Sequence, residues 1–319
     1  MTAAPCPARP EPTAAAPRAV EIVEVGARDG LQNEATPIDT AHKLALIARL
    51  MAAGARRLEV ASFVHPRLVP QMADAEAVVA GLPADASATY VGLVLNKRGL
   101  LRALETRAGG RRGVDEIGCV AVASDGFGNA NQGMGWQASV ETVKDLHRLA
   151  HAEGLAAQVT VSVCWGDPFD GPVAPDRVVE ICRRLAEAGP REIALADTIG
   201  VAVPARVTEL FHRVAEAVPD IPLRGHFHDT RNTGIANAWA AYEAGASVLD
   251  ASLGGLGGCP FAPRATGNIA TEDLVYLLDR SGVGHGLDLA ALIDTAGWMA
   301  EVMAKPLPGR VARAGGFPA

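Results

Sequence analysis

The sequence predicts an α/β fold, a (β/α)8 TIM barrel with extra C-terminal helices, and three observations predict it. Eight short apolar runs alternate with amphipathic segments along the 319 residues, which implies parallel strands joined by helices. A count of eight favours a closed barrel over an open doubly wound sheet. The polar residues suited to chemistry follow the apolar runs, and in such barrels the site lies at the carboxyl ends of the strands.

The elements read in order as follows. Val20, Ile22, Val23 and Val25 form the first run, ended by Gly26. In the helix over 36–54, Leu44, Ile47, Ala48 and Met51 recur at i, i+3, i+4 and i+7, one helical face. Thr36-Pro37 suits its N-cap and first turn, and Gly54 its C-terminal stop. Strands two and three are expected at 55–63 and 88–95, followed by a helix over 100–108. Strand four falls at 114–123, a long helix runs over 137–154, and strand five lies at 155–165. A helix over 176–189 leads to strand six at 191–197, and a helix over 204–218 to strand seven at 221–228. A helix over 231–245 then precedes strand eight at 246–253, with closing helices at 271–280 and 289–303. Residues 1–18, rich in Ala and Pro, read as a disordered leader. Residues 19–319 read as a single catalytic domain.

Composition removes several function classes. Hydrophobic residues at 49% and charged residues at 20% exclude a wholly disordered chain. A net charge of −7 argues against a nucleic-acid partner, and 4% aromatic content against base-stacking platforms. The five cysteines, at 6, 119, 164, 182 and 259, form no C-x-x-C, so neither a disulfide framework nor a cysteine zinc site is expected. Cys119, Cys164 and Cys182 sit in apolar patterns and read as small buried hydrophobes. No run of about 18 apolar residues offers a membrane span. A reducing cytoplasm is the expected compartment.

His226 and His228 carry the sharpest chemical signal. Two apart on a strand, they share a face and make half of a metal site; the alternative is a satisfied polar strand end. Asp29 after strand one and one amide oxygen would complete an N/O set suited to Mg²⁺ or Mn²⁺, with Zn²⁺ or Fe²⁺ also open. Arg28 is either a surface ion pair or the cation that stabilises a developing enolate. Glu59 either pairs with Arg56 or Arg57, or orients Arg28. Asp197-Thr198 closes strand six. Cys259 follows a glycine-rich stretch that lacks both phosphate-loop patterns; it reads as a mobile lid with a titratable thiol or as a small buried hydrophobe. No G-x-S-x-G is present, so no hydrolase nucleophile elbow is expected.

From about residue 20 to its end, the chain resembles the 3-hydroxy-3-methylglutaryl-CoA lyase family, within the aldolase-type metal-dependent TIM barrels. The likeness is carried by VEIVEVGARDGLQNE, SFVHPRLVPQMAD, ADTIGVAVP, GHFHDTRNTGIANA and GGLGGCPFAPRATGNIATEDLVYLL. The resemblance implies Asp29, His226, His228 and Asn268 as metal ligands and Mg²⁺ or Mn²⁺ as the metal. It implies Arg28 as catalytic arginine, Cys259 as lid cysteine, and Glu59 and Asp197 as supporting carboxylates. His226 or Asp197 would take the hydroxyl proton. It further implies an acyl-CoA substrate, acetyl-CoA and acetoacetate as products, a place in leucine degradation or ketone-body formation, and a homodimer. Lys97, Arg98 and Arg102 are candidates for CoA contacts.

The sequence departs from the family pattern in two loops. After strand four it reads ASDGFGNANQGMGWQAS, and after strand five WGDPFDG with Asp167 before Pro168. A different 3-hydroxydicarboxyl-CoA is therefore an alternative substrate. A Claisen-type synthase and a non-catalytic barrel are further alternatives; the lid cysteine and the intact ligand set argue against them.

Overall fold

The computed structural model describes residues 17–85, 87–258 and 267–318. Eight parallel strands among them close a barrel: β1 (Glu21–Glu24), β2 (Arg57–Ser62), β3 (Thr89–Leu93), β4 (Glu116–Val122), β5 (Ala156–Ser162), β6 (Ile193–Asp197), β7 (Leu223–Phe227) and β8 (Val248–Ala251). Each neighbours the next in the chain, and β1 pairs with β8 through Glu21↔Val248 to Glu24↔Ala251.

The expected helices are present as α1 (Thr40–Ala52), α3 (Lys97–Glu105), α5 (Trp136–Ala152), α6 (Pro175–Ala186), α7 (Pro204–Ala217), α8 (Gly234–Glu243), α9 (Thr271–Arg280) and α10 (Leu289–Val302). Three were not foreseen: α2 (Ala75–Ala80), α4 (Asp125–Gln132) and α11 (Val311–Ala314). A two-stranded ribbon, Gly166–Asp167 with Gly171–Pro172, is likewise new. The short helices span too few turns to show a helical period. No helix among the described residues is long and apolar enough to cross a membrane.

Two details of α1 correct the sequence reading. Its N-cap is Asp39, whose Oδ1 accepts the His42 N–H at 2.8 Å, not Thr36. Its buried face is Lys43, Leu46, Ile47, Leu50 and Met51, while Ala48 is exposed. The larger leucines outweigh Ala48 in apolar area. Lys43 joins that face because its ammonium donates to the Gln71 carbonyl and pairs with Asp74 at 2.6 Å. Gly54 does follow the helix, with φ +101°.

The main apolar core lies between the barrel wall and the helices. The barrel interior is different. Val23, Val25 and Val248 form a small cluster beside stacked charges. At the amino-terminal ends of the strands, buried Arg57 pairs with Glu21 at 3.2 Å, Glu116 at 2.5 Å and Glu192 at 2.9 Å. Glu192 lies 3.1 Å from Arg224, and Arg224 lies 3.5 Å from Asp250. This ladder climbs towards the carboxyl ends of the strands.

Candidate active site

Arg28 and Asp29 leave β1 on a π-helical turn, Gly26–Gly30, in which Gly30 N–H donates to Val25 O at 3.1 Å. Such turns are rare and concentrate at functional sites. Sequence sets this one by close approach: a Cβ on Gly30 would lie 2.5 Å from Ser252 Oγ.

The guanidinium of Arg28 is held from two sides. Its Nε donates to Glu59 Oε2 at 2.7 Å, its Nη2 to the same oxygen, and its Nη1 to Asp29 Oδ1 at 2.7 Å. Glu59 therefore orients Arg28, as one of the two sequence readings held. Arg57 belongs to the interior ladder, and Arg56 donates to the carbonyls of Met51 and Ala55.

His226 is the penultimate residue of β7 and His228 lies just past its end, with their Nε2 atoms 3.2 Å apart. Asp29 Oδ2 lies 4.0 Å from His226 Nε2. One ligand atom from each of Asp29, His226 and His228 falls within 4.8 Å of the others, a group able to hold a cation. Asn268, bridged to His228 by backbone pairing, donates its Nδ2 to Asp29 Oδ2 at 2.8 Å and to Leu256 O at 3.2 Å. Its Oδ1 is buried without a hydrogen-bond partner among the described residues. A buried orphan acceptor is costly, and an amide oxygen is what a hard cation accepts. The donor set of one carboxylate, two imidazoles and one amide thus fits a divalent ion.

The electrostatics set the two histidines apart. Burial would raise Asp29, but Arg28 and the two histidines hold it well below the usual carboxylate range. Burial, then His226, pushes His228 down to about 4, so it is the neutral imidazole a metal requires. Burial alone would lower His226, yet its hydrogen bond to Asp250 and that carboxylate's charge outweigh it and hold it above its ordinary value. Asp250 Oδ2 lies 2.9 Å from His226 Nδ1. Asp197 is buried at the end of β6, and its two oxygens accept the N–H groups of Val201 and Ala202, each at 2.9 Å. Burial raises its affinity for a proton.

The glycine-rich segment starts as a tight turn, Leu253–Gly255. Glu24 Oε1 accepts Leu253 N–H at 3.0 Å, and Glu272 Oε2 accepts Gly254 N–H at 2.9 Å. Burial pushes both glutamates up to about 7. Cys259 lies outside the described residues. Cys119, Cys164 and Cys182 are buried and free, and burial raises each thiol, so they are inert fillers. Arg102 is committed to Glu76, at 2.7 and 2.9 Å.

The two divergent loops are knitted together. Asp167 accepts Ser124 Oγ–H, Phe127 N–H at 2.8 Å and the N–H groups of Phe169 and Asp170, at 2.5 and 3.1 Å. Asp170 accepts Gly126 N–H at 2.6 Å. These bonds fix the start of α4, whose glycines and asparagines are poor helix formers. Next to the loops after β1 to β4 lies a cavity of about 820 Å³, lined by Gln32, Asn33, Val64, Leu68, Leu95 and Met134 among others.

A family model described as HMGL-like matches residues 19–298. The chain belongs to this family. Among its relatives, an (R)-citramalyl-CoA lyase of Chloroflexus aurantiacus is 42% identical, covering 93% of this chain and 95% of its own. A 3-hydroxy-3-isohexenylglutaryl-CoA/hydroxy-methylglutaryl-CoA lyase of Pseudomonas aeruginosa is 40% identical over 93% and 97%. The solved structure of an HMG-CoA lyase from Acinetobacter baumannii in complex with coenzyme A and 3-methylmalate superposes with a TM-score of 0.88, at 36% identity over 94% and 96%. This HMGL-like chain is accordingly an enzyme with the barrel its sequence predicts.

Sequence reasoning passed over four charged residues that shape the HMGL-like site: Glu24, Arg224, Asp250 and Glu272. Arg224 and Asp250 stand inside apolar strand patterns. A charge there requires a buried partner, and that requirement was the available signal.

Proposed function

We propose that this chain is a divalent-metal-dependent carbon–carbon lyase. Its substrate would be 3-hydroxy-3-methylglutaryl-CoA or a close 3-hydroxy-3-acyl-CoA, cleaved to acetyl-CoA and the matching oxo acid. The observation that carries this reading is the convergence of Asp29, His226, His228 and Asn268 beside an Arg28 locked by Glu59. Mg²⁺ or Mn²⁺ suits the oxygen and imidazole donors.

A cation in that set supplies Lewis-acid polarisation of the substrate's hydroxyl. His226 or Asp197 is the acceptor of the hydroxyl proton. His226 engages Asp250 through one ring nitrogen and the ligand group through the other. Asp197 has a proton affinity raised by burial, while its oxygens accept the Val201 and Ala202 N–H groups. Breaking the C2–C3 bond leaves its electron pair on the thioester enolate. Arg28, fixed before the charge develops, stabilises that enolate without reorganising. Cys259, next after Gly258 on the glycine-rich segment, is assigned the proton that completes acetyl-CoA. The cavity beside Gln32 and Leu68 is wide enough for an acyl-CoA arm.

The citramalyl-CoA lyase relative supports a second, shorter substrate of the same class. The test measures acetyl-CoA release from 3-hydroxy-3-methylglutaryl-CoA and from citramalyl-CoA with Mg²⁺ or Mn²⁺. Turnover of either, abolished by EDTA and restored by metal, is expected; no release from any 3-hydroxy-3-acyl-CoA sinks the reading.

A further inference from the structure

We propose that Asp250 is a positioning residue for His226 and that Arg224 holds Asp250 from below; the inference rests on the reading of His226 as a ligand. The two histidines of the candidate centre are unequal. Asp250 Oδ2 lies 2.9 Å from His226 Nδ1. A carboxylate accepts and does not donate, so Nδ1 carries the proton and Nε2 turns its lone pair to Asp29 and His228. The ring cannot flip without breaking that bond. His228 has no such support: its Nδ1 is buried without a partner among the described residues.

Asp250 is itself placed. β8 sets it beside His226 through the register Val248↔Arg224 and Leu249↔Gly225. Its second oxygen lies 3.5 Å from Arg224 Nε. Arg224 stands two residues before His226 on the same face of β7. Its Nη2 donates to Gln158 Oε1 at 2.5 Å and Thr160 Oγ1 at 3.0 Å, and its Nη1 lies 3.1 Å from Glu192. The interior ladder therefore ends on a metal ligand. Partners of this kind fix tautomer and ring orientation, and losing one typically costs about 10–100-fold in metal affinity.

Two readouts test this. Mn²⁺ titration followed by EPR, with thermal melts, compares the wild type with Asp250→Asn, Asp250→Ala, Arg224→Gln and Arg224→Lys. Asp250→Asn and Asp250→Ala are expected to weaken Mn²⁺ binding about 10–100-fold in protein that still melts cooperatively. Arg224→Gln is expected to weaken it less, with Arg224→Lys restoring part of the loss. Separately, ¹⁵N-histidine spectra of metal-free wild type at alkaline pH report the tautomer: His226 is expected with its proton on Nδ1, and mixed in Asp250→Ala. A His226 proton on Nε2 in the wild type overturns the inference, as does Mn²⁺ affinity within about twofold of wild type in folded Asp250→Asn. A structural role alone would lower the melting temperature and leave Mn²⁺ affinity unchanged. Should wild type bind no Mn²⁺, the lyase reading fails, and the tautomer still decides the positioning claim.

Discussion

Two halves of the barrel mouth are built on opposite rules. Over β1, β2, β7 and β8, side chains from distant segments converge: ligand atoms of Asp29, His226 and His228 gather within 4.8 Å, and the neighbouring Asn268 keeps a buried Oδ1 without a partner among the described residues. Over β4 and β5, Asp167 and Asp170 also gather, yet their oxygens accept loop N–H groups. The first half keeps bonding capacity for something that is not protein; the second consumes it internally. Chemistry needs the former, whereas a wall that selects by shape needs only the latter. The two loops read from the sequence as departing from the family pattern lie in the second half, outside the convergent group.

Substitutions should break this division unequally. The largest effect is expected from Asp29→Ala or His226→Ala, which should abolish both Mn²⁺ binding and acyl-CoA cleavage; retention of either by calorimetry and a product assay would contradict the site. Arg28→Met should lower kcat by about 10²–10³-fold while Mn²⁺ still binds, a separation that stopped-flow and titration can verify. Glu24 offers a pH test. Its folded value of about 7 exceeds the ordinary 4.5, so its contribution to stability is complete below about 4.5 and disappears as pH rises through 7, a change of roughly 3 kcal/mol. Melting temperature should accordingly fall between pH 5 and 8, and Glu24→Gln should flatten that fall. The smallest effect is expected from Asp167→Asn: a loss of about 1–3 kcal/mol in stability and an altered preference between the two acyl-CoA substrates, with Mn²⁺ affinity unchanged. A drop in Mn²⁺ affinity there would erase the boundary between the halves.

Much of the barrel was legible because buried parallel strands must be apolar and helices must repeat near 3.6 residues. The convergent half was legible because polar residues at strand ends stand out against those runs. Three features escaped for physical reasons. Lys43 faces the core because its ammonium finds Gln71 and Asp74 from another element, a partner no local pattern announces. α4 forms against its own propensities because Asp167, some 40 positions away in sequence, supports its first turn. Arg224 and Asp250 look like interruptions of apolar strands until the closed sheet sets them side by side.

The buried ladder from Arg57 through Glu116, Glu192 and Arg224 to Asp250, with exposed Glu21 at its foot, bears on how this enzyme can change over generations. Stripping one member from a buried pair strands its partner and costs about 3–5 kcal/mol, whereas exchanging the whole set for well-packed apolar residues can be neutral. Single steps along the ladder are thus closed to drift, while a concerted replacement stays open. Because the top rung touches His226, the exposed loops at the barrel mouth can be refitted one residue at a time, but the floor beneath the paired histidines can be renovated only all at once.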